Sequence, residues 1–205
     1  MRLVVATRNA GKVRELDRLL AAVPGIDVVG LAELGIAETA EEDALEVFDT
    51  FEENALAKAR WFARLTGDAA LADDSGICVD ALDGAPGVRS RRFAPVDEAR
   101  GDRQDEANNR HLLERLAGVP DAARTARYVC AAAVVWPDGR ELVRMGACEG
   151  VVLHAARGAG GFGYDPLFYL PDEGMTFGEL PAARKDELSH RGIAIRAVAS
   201  ALAGG

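Results

Sequence analysis

The sequence predicts an α/β protein built on a mixed β-sheet. An almost wholly apolar, β-branched run, "LVVAT" (3–7), is typical of a strand buried on both faces, and a helical pattern follows it. In the second half of the chain, strand-like runs at 127–136 and 140–153 flank a Pro-Asp-Gly turn at 137–139, which predicts an antiparallel hairpin. Because a late hairpin can project from an open sheet, we expect a two-lobed shape with a cleft.

The other elements follow from apolar spacing and turn residues. Apolar residues at helical spacing predict a first helix that stops near Pro24-Gly25, and a phenylalanine and alanine stripe predicts a second. A polar segment that becomes apolar at its end is typical of a surface helix, and a last apolar pattern lies near the C-terminus. The predicted helices are 12–23, 47–65, 97–117 and 187–202, with a brief strand at 70–73.

Composition limits the possible functions. The 205 residues suit one substantial core or two closely packed lobes, which we treat as a single domain. A formal net charge of −9 disfavours binding to nucleic acid or to an anionic membrane surface. A polyanionic substrate would therefore need a local basic pocket or a cation as mediator.

The cellular location is predicted to be cytoplasmic. No apolar run approaches the roughly 20 residues that span a bilayer, and the N-terminus has too few apolar residues before Arg8 for a signal peptide. The 3 cysteines, Cys78, Cys130 and Cys148, are odd in number and far apart. This spacing argues against a disulfide framework or a zinc site and favours a reducing compartment.

The first candidate site is "ATRNAGK" (6–12), where a strand gives way to a helix. Free backbone N–H groups at a helix start attract anions, and Lys12 adds a full positive charge. Thr7 and Asn9 offer a hydroxyl and an amide to phosphate oxygens. The alternative is that Asn9 only caps the helix and Lys12 is solvated.

Two acidic clusters form the second candidate. The run "AEEDALE" (40–46) has no basic neighbour, and Asp73-Asp74 is followed by Ser75-Gly76, which indicates that the strand ends there. An acid run is often a solvated face, and an Asx-type turn formed by one aspartate is the alternative for the pair. Together, however, carboxylates from separate segments suit Mg²⁺, which takes its other ligands from water and substrate phosphates.

Aromatic and basic residues supply the third candidate. In "GAGGFGYDPLF" (158–168), glycines permit close backbone approach, while Phe162 and Tyr164 offer flat surfaces for a base unless they fold into the core. In "RKDELSHRG" (184–192), Lys185, His190 and Arg191 are donors for carbonyl acceptors on a base edge, unless the segment is a plain surface helix start.

The motifs in these segments follow one another along the chain in this order: "ATRNAGK", "FEENALAKAR", "ADDSG" followed by "DALDGAPGVRS", "GGFGYDP" and "SHRG". Together they resemble the inosine/xanthosine triphosphate pyrophosphatase family, from residue 3 to about residue 200. The resemblance implies a two-lobed α/β fold with a long mixed β-sheet flanked by helices and an active-site cleft between the lobes. It also implies a Mg²⁺-dependent homodimer that cleaves ITP, dITP or XTP to the monophosphate and pyrophosphate.

The resemblance also implies roles for individual residues. Asp74 and Glu41 match the metal ligands, Asp74 is also the matched proton acceptor, and Asp73 is its acidic neighbour. Lys12 would neutralise the leaving pyrophosphate. The matched substrate-binding residues are Thr7, Arg8, Asn9, Ala10, Gly11, Lys12, Ser75, Phe162, Gly163, Tyr164, Asp165, Lys185, His190 and Arg191.

The sequence departs from the family pattern in places. The stretch after the acid run is a few residues longer than is usual, so the choice of Glu41 over Glu42 or Glu46 stays open. Arg89 and Arg91 lie where less charge is expected, and either triphosphate contacts or dimer contacts would explain them. The rival functions are a pyrophosphatase for pyrimidine or modified nucleotides and a non-catalytic nucleotide sensor.

Overall fold

The computed structural model describes residues 1–21, 23–95 and 104–203. Its strands are β1 Arg2–Val5, β2 Asp27–Gly30, β3 Ala69–Val79, β4 Thr125–Val135, β5 Glu141–Val152, β6 Phe168–Leu170 and β7 Met175–Thr176. Its helices are α1 Ala10–Leu20, α2 Phe51–Thr66, α3 Gln104–Arg115, α4 Ala182–Leu188 and α5 His190–Ala203. Short 3₁₀ helices lie at Ala40–Leu45, Asp80–Leu82, Gly87–Arg92 and Asp121–Ala123.

All seven strands form one sheet, in the order β2-β1-β3-β4-β5-β6-β7. β1 pairs in parallel with β2 and β3, whereas β6 pairs antiparallel with β5 and β7. The predicted α/β fold with a mixed sheet is therefore confirmed.

The chain divides into two compact units. The first unit comprises Met1–Asp74, Cys130–Gly146 and His190–Gly205, and the second comprises Ser75–Val129 and Ala147–Ser189. In the first unit, alternate residues of β1 face different helices: Leu3 packs in a core with α1 and α5, and Val4 packs in a core with α2. β1 is thus buried on both faces, as its apolar run predicted.

The core of the second unit is rich in aromatic residues. Tyr128 meets Phe168 edge-on and stacks against Phe177, with ring centroids 4.8 Å and 5.7 Å apart. Leu112 and Leu116, from α3 and the residue after it, complete this core with full burial. The apolar end of the predicted surface helix is therefore a packing face.

Several helix boundaries differ from the predictions. α1 begins at Ala10 because Asn9 caps it, and α2 begins at Phe51 because Thr50 accepts a hydrogen bond from the N–H of Glu53. The predicted last helix is divided between α4 and α5 at Ser189, which is extended. α3 lies within the predicted 97–117 helix, of which residues 97–103 lie outside the described part of the chain.

The prediction that the strand ends at Ser75-Gly76 is wrong, because β3 continues to Val79. Gly76 is not a turn residue but a site of close packing. A Cβ on Gly76 would lie 2.3 Å from the carbonyl oxygen of Gly87 and 2.3 Å from Oγ of Ser90, a separation that no side chain tolerates. Glycine is required here by the approach of another segment within the second unit.

Among the described residues, no helix is both long enough and apolar enough to cross a membrane.

Candidate active site

The first feature of the site is the start of α1, in the first unit. The Asn9 side chain accepts a hydrogen bond from the N–H of Lys12 at 3.0 Å, and the Thr7 hydroxyl accepts one from the N–H of Asn9 at 3.3 Å. Asn9 is therefore a helix cap. Ala10 and Gly11 form the first turn, where backbone N–H groups have no acceptor within the helix.

Lys12 is not simply solvated. Its ammonium lies 3.0 Å from Oδ2 of Asp73 and 3.4 Å from the Asp73 carbonyl oxygen. Parallel pairing matches Val5 with Leu71, so β1 ends before its neighbour β3 reaches Asp73. Asp73 thus lies just beyond the carboxyl end of β1, although its own strand continues.

Arg8 connects the start of α1 to the acidic run. Its guanidinium pairs with the Glu42 carboxylate at 2.7 Å and 3.1 Å and also donates to the carbonyl oxygens of Ile36 and Ala37. The Glu42 carboxylate raises the pKa of Arg8. Arg8 therefore holds the acidic run in place, and Glu42 is committed to this pair.

Asp73 lies at the centre of a buried charge cluster. Its Oδ2 accepts from Lys12 and from Nε of Arg191 at 3.1 Å, and Arg191 also pairs with Glu15. Burial alone would raise the pKa of Asp73, but Lys12, Arg191 and Lys58 together hold that pKa well below its ordinary value. The Asp73 carboxyl is therefore charged in the folded protein at neutral pH.

Arg191, from the first turn of α5, is buried within this cluster. It is 1% exposed, and the charges of Asp73 and Glu15 raise its pKa although burial opposes this. His190, the residue before it, is 2% exposed. Arg191 thus connects α5 to α1 and β3 through buried charges.

Asp74 points to other partners, as expected for the next residue in a strand. Its Oδ2 accepts from the Asn54 amide at 2.9 Å, and the residue is 7% exposed. Burial raises the pKa of Asp74, against the positive charges of Lys58 and Lys12. The negative charge of Glu46 acts in the same direction as burial.

Lys58 on α2 links the acidic run to β3. Its ammonium lies 2.8 Å from Oε1 of Glu46 and 2.6 Å from the Asp73 carbonyl oxygen. By contrast, Glu41 is exposed, and its pKa is lowered by its own backbone N–H and by Thr39. Of the acids between which the sequence did not decide, Glu46 is the one whose charge acts on Asp74.

Asn54 also fixes the segment that follows Glu46. Its amide nitrogen donates to the Phe48 carbonyl oxygen at 3.2 Å, and its amide oxygen accepts from the Phe48 N–H at 2.9 Å. Since Asn54 bonds to Asp74 as well, one buried amide ties this segment to the carboxylate.

The carboxylates fit a divalent cation. Oδ1 of Asp73 is buried without a hydrogen-bond partner among the described residues, and the Asp74 carboxylate follows it in the chain. In the described ranges, no three His, Cys, Asp or Glu side chains are grouped so as to hold a metal ion. Mg²⁺ needs no such group, because one or two carboxylates and substrate phosphates suffice.

The second unit supplies a separate aromatic and basic cluster. Oδ2 of Asp165 accepts from the N–H of Phe162 at 2.8 Å and from Lys185 at 2.6 Å, and both charged side chains are buried. The Lys185 ammonium lies 5.1 Å from the centroid of the half-buried Phe162 ring. Such a distance permits a cation–π interaction.

Tyr164 belongs to the core of the second unit. Its ring is buried, and its hydroxyl donates to the Ser90 carbonyl oxygen at 2.7 Å. Burial and, to a lesser extent, the charge of Asp105 raise the pKa of its phenol. Tyr164 is therefore folded into the core and offers no flat surface to a base. Phe162 is half-buried. Ser75 is a half-buried residue of β3.

Sequence reasoning missed several participants in the two clusters. Asn54 and Lys58 occupy the same buried stripe of α2 as Ala55, Ala59 and Phe62. Their position within an apolar stripe could have identified them, since polar residues are seldom buried without a partner. In the same way, Glu15 is buried beside Leu16 in α1.

The fold is that of an α/β protein, and charged side chains gather beside the carboxyl end of parallel strand β1, the edge at which such folds bind ligands. The chain belongs to the Ham1 family, whose model matches residues 3–201.

A dITP/XTP pyrophosphatase of Desulforamulus reducens is 50% identical over 198 residues, which cover 96% of this chain and 92% of that protein. A protein of the same name from Escherichia coli O157:H7 is 45% identical over 206 residues, covering 100% and 99% of the two chains. The structure of a HAM1 protein from Coxiella burnetii matches with a TM-score of 0.85 at 34% identity, covering 100% of each chain. The family indicated by the motifs is thereby confirmed.

Proposed function

We propose that this chain is a nucleoside triphosphate pyrophosphatase that clears non-standard purine nucleotides from the nucleotide pool. It hydrolyses ITP, dITP or XTP at the α-phosphorus and releases the nucleoside monophosphate and pyrophosphate. The names of relatives that cover nearly the whole chain support this activity. The observation that carries the proposal is the buried pairing of Lys12 with Asp73, immediately beside Asp74.

The first unit binds the triphosphate in this proposal. Backbone N–H groups at the start of α1 and the side chain of Lys12 supply the positive potential that polyphosphate oxygens need. Asp73 holds the Lys12 ammonium in place. The remaining phosphate-binding residues of this stretch are Thr7, Arg8, Asn9, Ala10 and Gly11.

The acidic side chains would hold Mg²⁺. Asp74 and Glu41 are the ligands that the family resemblance implies. Glu46 of the same acidic run is the alternative to Glu41, and its carboxylate pairs with the Lys58 ammonium at 2.8 Å. When bound, Mg²⁺ screens the negative charges of the carboxylates and of the triphosphate oxygens.

Asp74 acts as general base. Asn54 fixes its orientation through the hydrogen bond to Oδ2 at 2.9 Å. Asp74 takes a proton from a water molecule while the water oxygen bonds to the α-phosphorus. The bond from that phosphorus to the bridging oxygen breaks, and pyrophosphate leaves with its charge stabilised by Lys12.

The second unit binds the base. Phe162 stacks on the purine ring, and Lys185 donates to the 6-oxo group. The family resemblance gives the same role to His190 and Arg191 of the first unit, where Arg191 also pairs with Asp73 and Glu15. Adenine lacks that acceptor, so its binding would leave buried donors without partners, which is strongly discriminating. The family resemblance also matches Gly163, Tyr164, Asp165 and Ser75 to substrate contacts, and of these Tyr164 and Asp165 are buried and support the loop of Phe162 from within the second unit.

The proposal includes a cytoplasmic homodimer that binds neither nucleic acid nor membrane. Its support is the family resemblance together with the acidic net charge of −9. Size-exclusion chromatography with light scattering would measure the oligomeric state.

Product analysis tests the function. The purified chain is incubated with Mg²⁺ and ITP, dITP, XTP, ATP, GTP or a pyrimidine triphosphate, and the products are separated. We expect IMP and pyrophosphate from ITP and loss of activity after exhaustive chelation. Release of IDP and orthophosphate would contradict the proposal, and preference for a pyrimidine triphosphate would favour the rival pyrophosphatase.

A further inference from the structure

Two side chains of α3 hold one residue of the loop that carries Phe162. Oδ2 of Asp105 accepts a hydrogen bond from the N–H of Gly163 at 2.8 Å. The amide of Asn109 donates to the carbonyl oxygen of the same glycine at 2.9 Å. Residues four apart lie on one face of a helix, so α3 binds both polar backbone groups of Gly163. We call this arrangement the Gly163 clamp.

Hydrogen bonds rather than packing hold Gly163. The residue has φ of +61°, and a Cβ placed on it would meet no atom within 4 Å. The left-handed conformation explains the glycine, and no atom occupies the position where a side chain would lie. The hydrogen bonds to its N–H and carbonyl groups hold its backbone against α3.

The position of the Asn109 side chain costs folding free energy. Its Oδ1 is buried without a hydrogen-bond partner among the described residues. A buried polar atom without a partner destabilises the folded protein and calls for an explanation. The explanation is the hydrogen bond that Nδ2 of the same amide donates to the Gly163 carbonyl oxygen.

We propose that Asp105 and Asn109 are positioning residues that fix Phe162 for stacking on the base. The inference rests on the proposed function, in which Phe162 receives the purine ring. Because Gly163 directly follows Phe162, fixing both backbone groups of the glycine limits the directions that the ring can take. A ring ordered before binding loses less entropy when the base arrives, so the clamp increases affinity for the nucleotide.

The test compares removal of a hydrogen-bond partner with removal of a charge. Asp105→Ala removes the acceptor, whereas Asp105→Asn retains an acceptor oxygen and removes only the charge. Glu106→Ala is the matched control, since Glu106 is an exposed acid at the next position of α3. Asn109→Asp keeps the shape of the side chain but removes the donor to the Gly163 carbonyl oxygen.

We expect Asp105→Ala and Asn109→Asp to raise KM for ITP about fivefold, the effect of one net hydrogen bond, with kcat changed less than about twofold. Asp105→Asn and Glu106→Ala should keep the KM of the wild type. Calorimetric titration with IMP should show the same ranking of dissociation constants. Circular dichroism during heating checks that each variant is folded.

The outcomes separate the clamp from the function. If the enzyme cleaves ITP but KM is the same in all four variants, the clamp is wrong and the proposed function stands. An equal rise of KM in Asp105→Asn and Asp105→Ala would show an effect of charge and would also overturn the clamp. A wild-type chain that neither cleaves ITP nor binds IMP would overturn both.

Discussion

Asp73 and Asp74 are neighbours in the chain but have different surroundings. Asp73 is compensated by Lys12 and Arg191, which lower its pKa, while burial raises the pKa of Asp74. The alternation of side chains along a strand explains how adjacent carboxylates can differ so much. At the scale of single residues, the site therefore contains one structural aspartate and one that suits a general base.

Asp74→Asn should reduce kcat for ITP by about 10²- to 10⁴-fold, the usual contribution of a general base. The amide has the size of the carboxyl group, so folding should be retained. Steady-state kinetics and thermal unfolding measure the two effects. Asp138→Asn, in the exposed β4–β5 turn, is the matched control and should behave as the wild type. Near-normal turnover of Asp74→Asn would refute the base assignment.

Phe162→Ala should chiefly raise KM for ITP, by about 5- to 150-fold, because stacking of a base on an aromatic ring is lost. Turnover at saturating substrate should change far less. Met175→Ala, an exposed apolar residue of the same unit, serves as the control for general effects of truncation. An unchanged KM in Phe162→Ala would argue against stacking.

At the scale of elements, buried charges join helices that are distant in sequence. Arg191 at the start of α5 pairs with Glu15 of α1 and Asp73 of β3. Such an arrangement fixes the first turn of α5 relative to the strand that carries Asp74.

Arg191→Leu should lower the free energy of unfolding by about 3–5 kcal/mol, because it removes the cation that pairs with the buried Glu15 carboxylate and leaves Asp73 with Lys12 but without its second partner. Urea denaturation measures this loss. Arg14→Leu, an exposed arginine of α1, should change stability little. An equally small effect of both substitutions would mean that the buried cluster contributes little to stability.

Gly76→Ala should destabilise the protein by about 1–3 kcal/mol, the usual effect of overpacking. The added Cβ would lie 2.3 Å from the backbone carbonyl oxygen of Gly87, which has little freedom to move. Gly30→Ala at the end of β2 is the matched control, since its Cβ would meet its nearest atom at 3.4 Å. Equal unfolding midpoints for the two variants would show that the segment near Gly87 relaxes easily.

At the scale of the whole molecule, the strands form a single seven-stranded sheet, and the chain divides into two compact units that each have a core. The first unit contains helices on both faces of β1 and β3, and the second contains an aromatic core packed against α3. The phosphate-binding stretch and the acidic side chains belong to the first unit, whereas the loop of Phe162 belongs to the second. Two motifs cross the boundary between the units, since "ADDSG" is divided after Asp74 and "SHRG" after Ser189.

The sequence by itself determined the fold class, most elements and the family. Apolar periodicity, the capping residue Asn9 and the ordered motifs are local properties of the chain, so they can be recognised without a structure. The same holds for the choice of Lys12 and of the aspartate pair as candidates. The names of the relatives agree with the enzyme class that the motifs implied.

Only the tertiary structure decided how the candidates are paired. It placed Arg191 in a buried cluster, identified Glu46 as the acid whose charge acts on Asp74, and assigned Gly76 to close packing rather than to a turn. Asn54 and Lys58 in the first unit, and Asp105 in the second, make contacts with segments far away in sequence. Burial and charge compensation depend on which segments meet in space, and the spacing of residues along one segment does not contain that information.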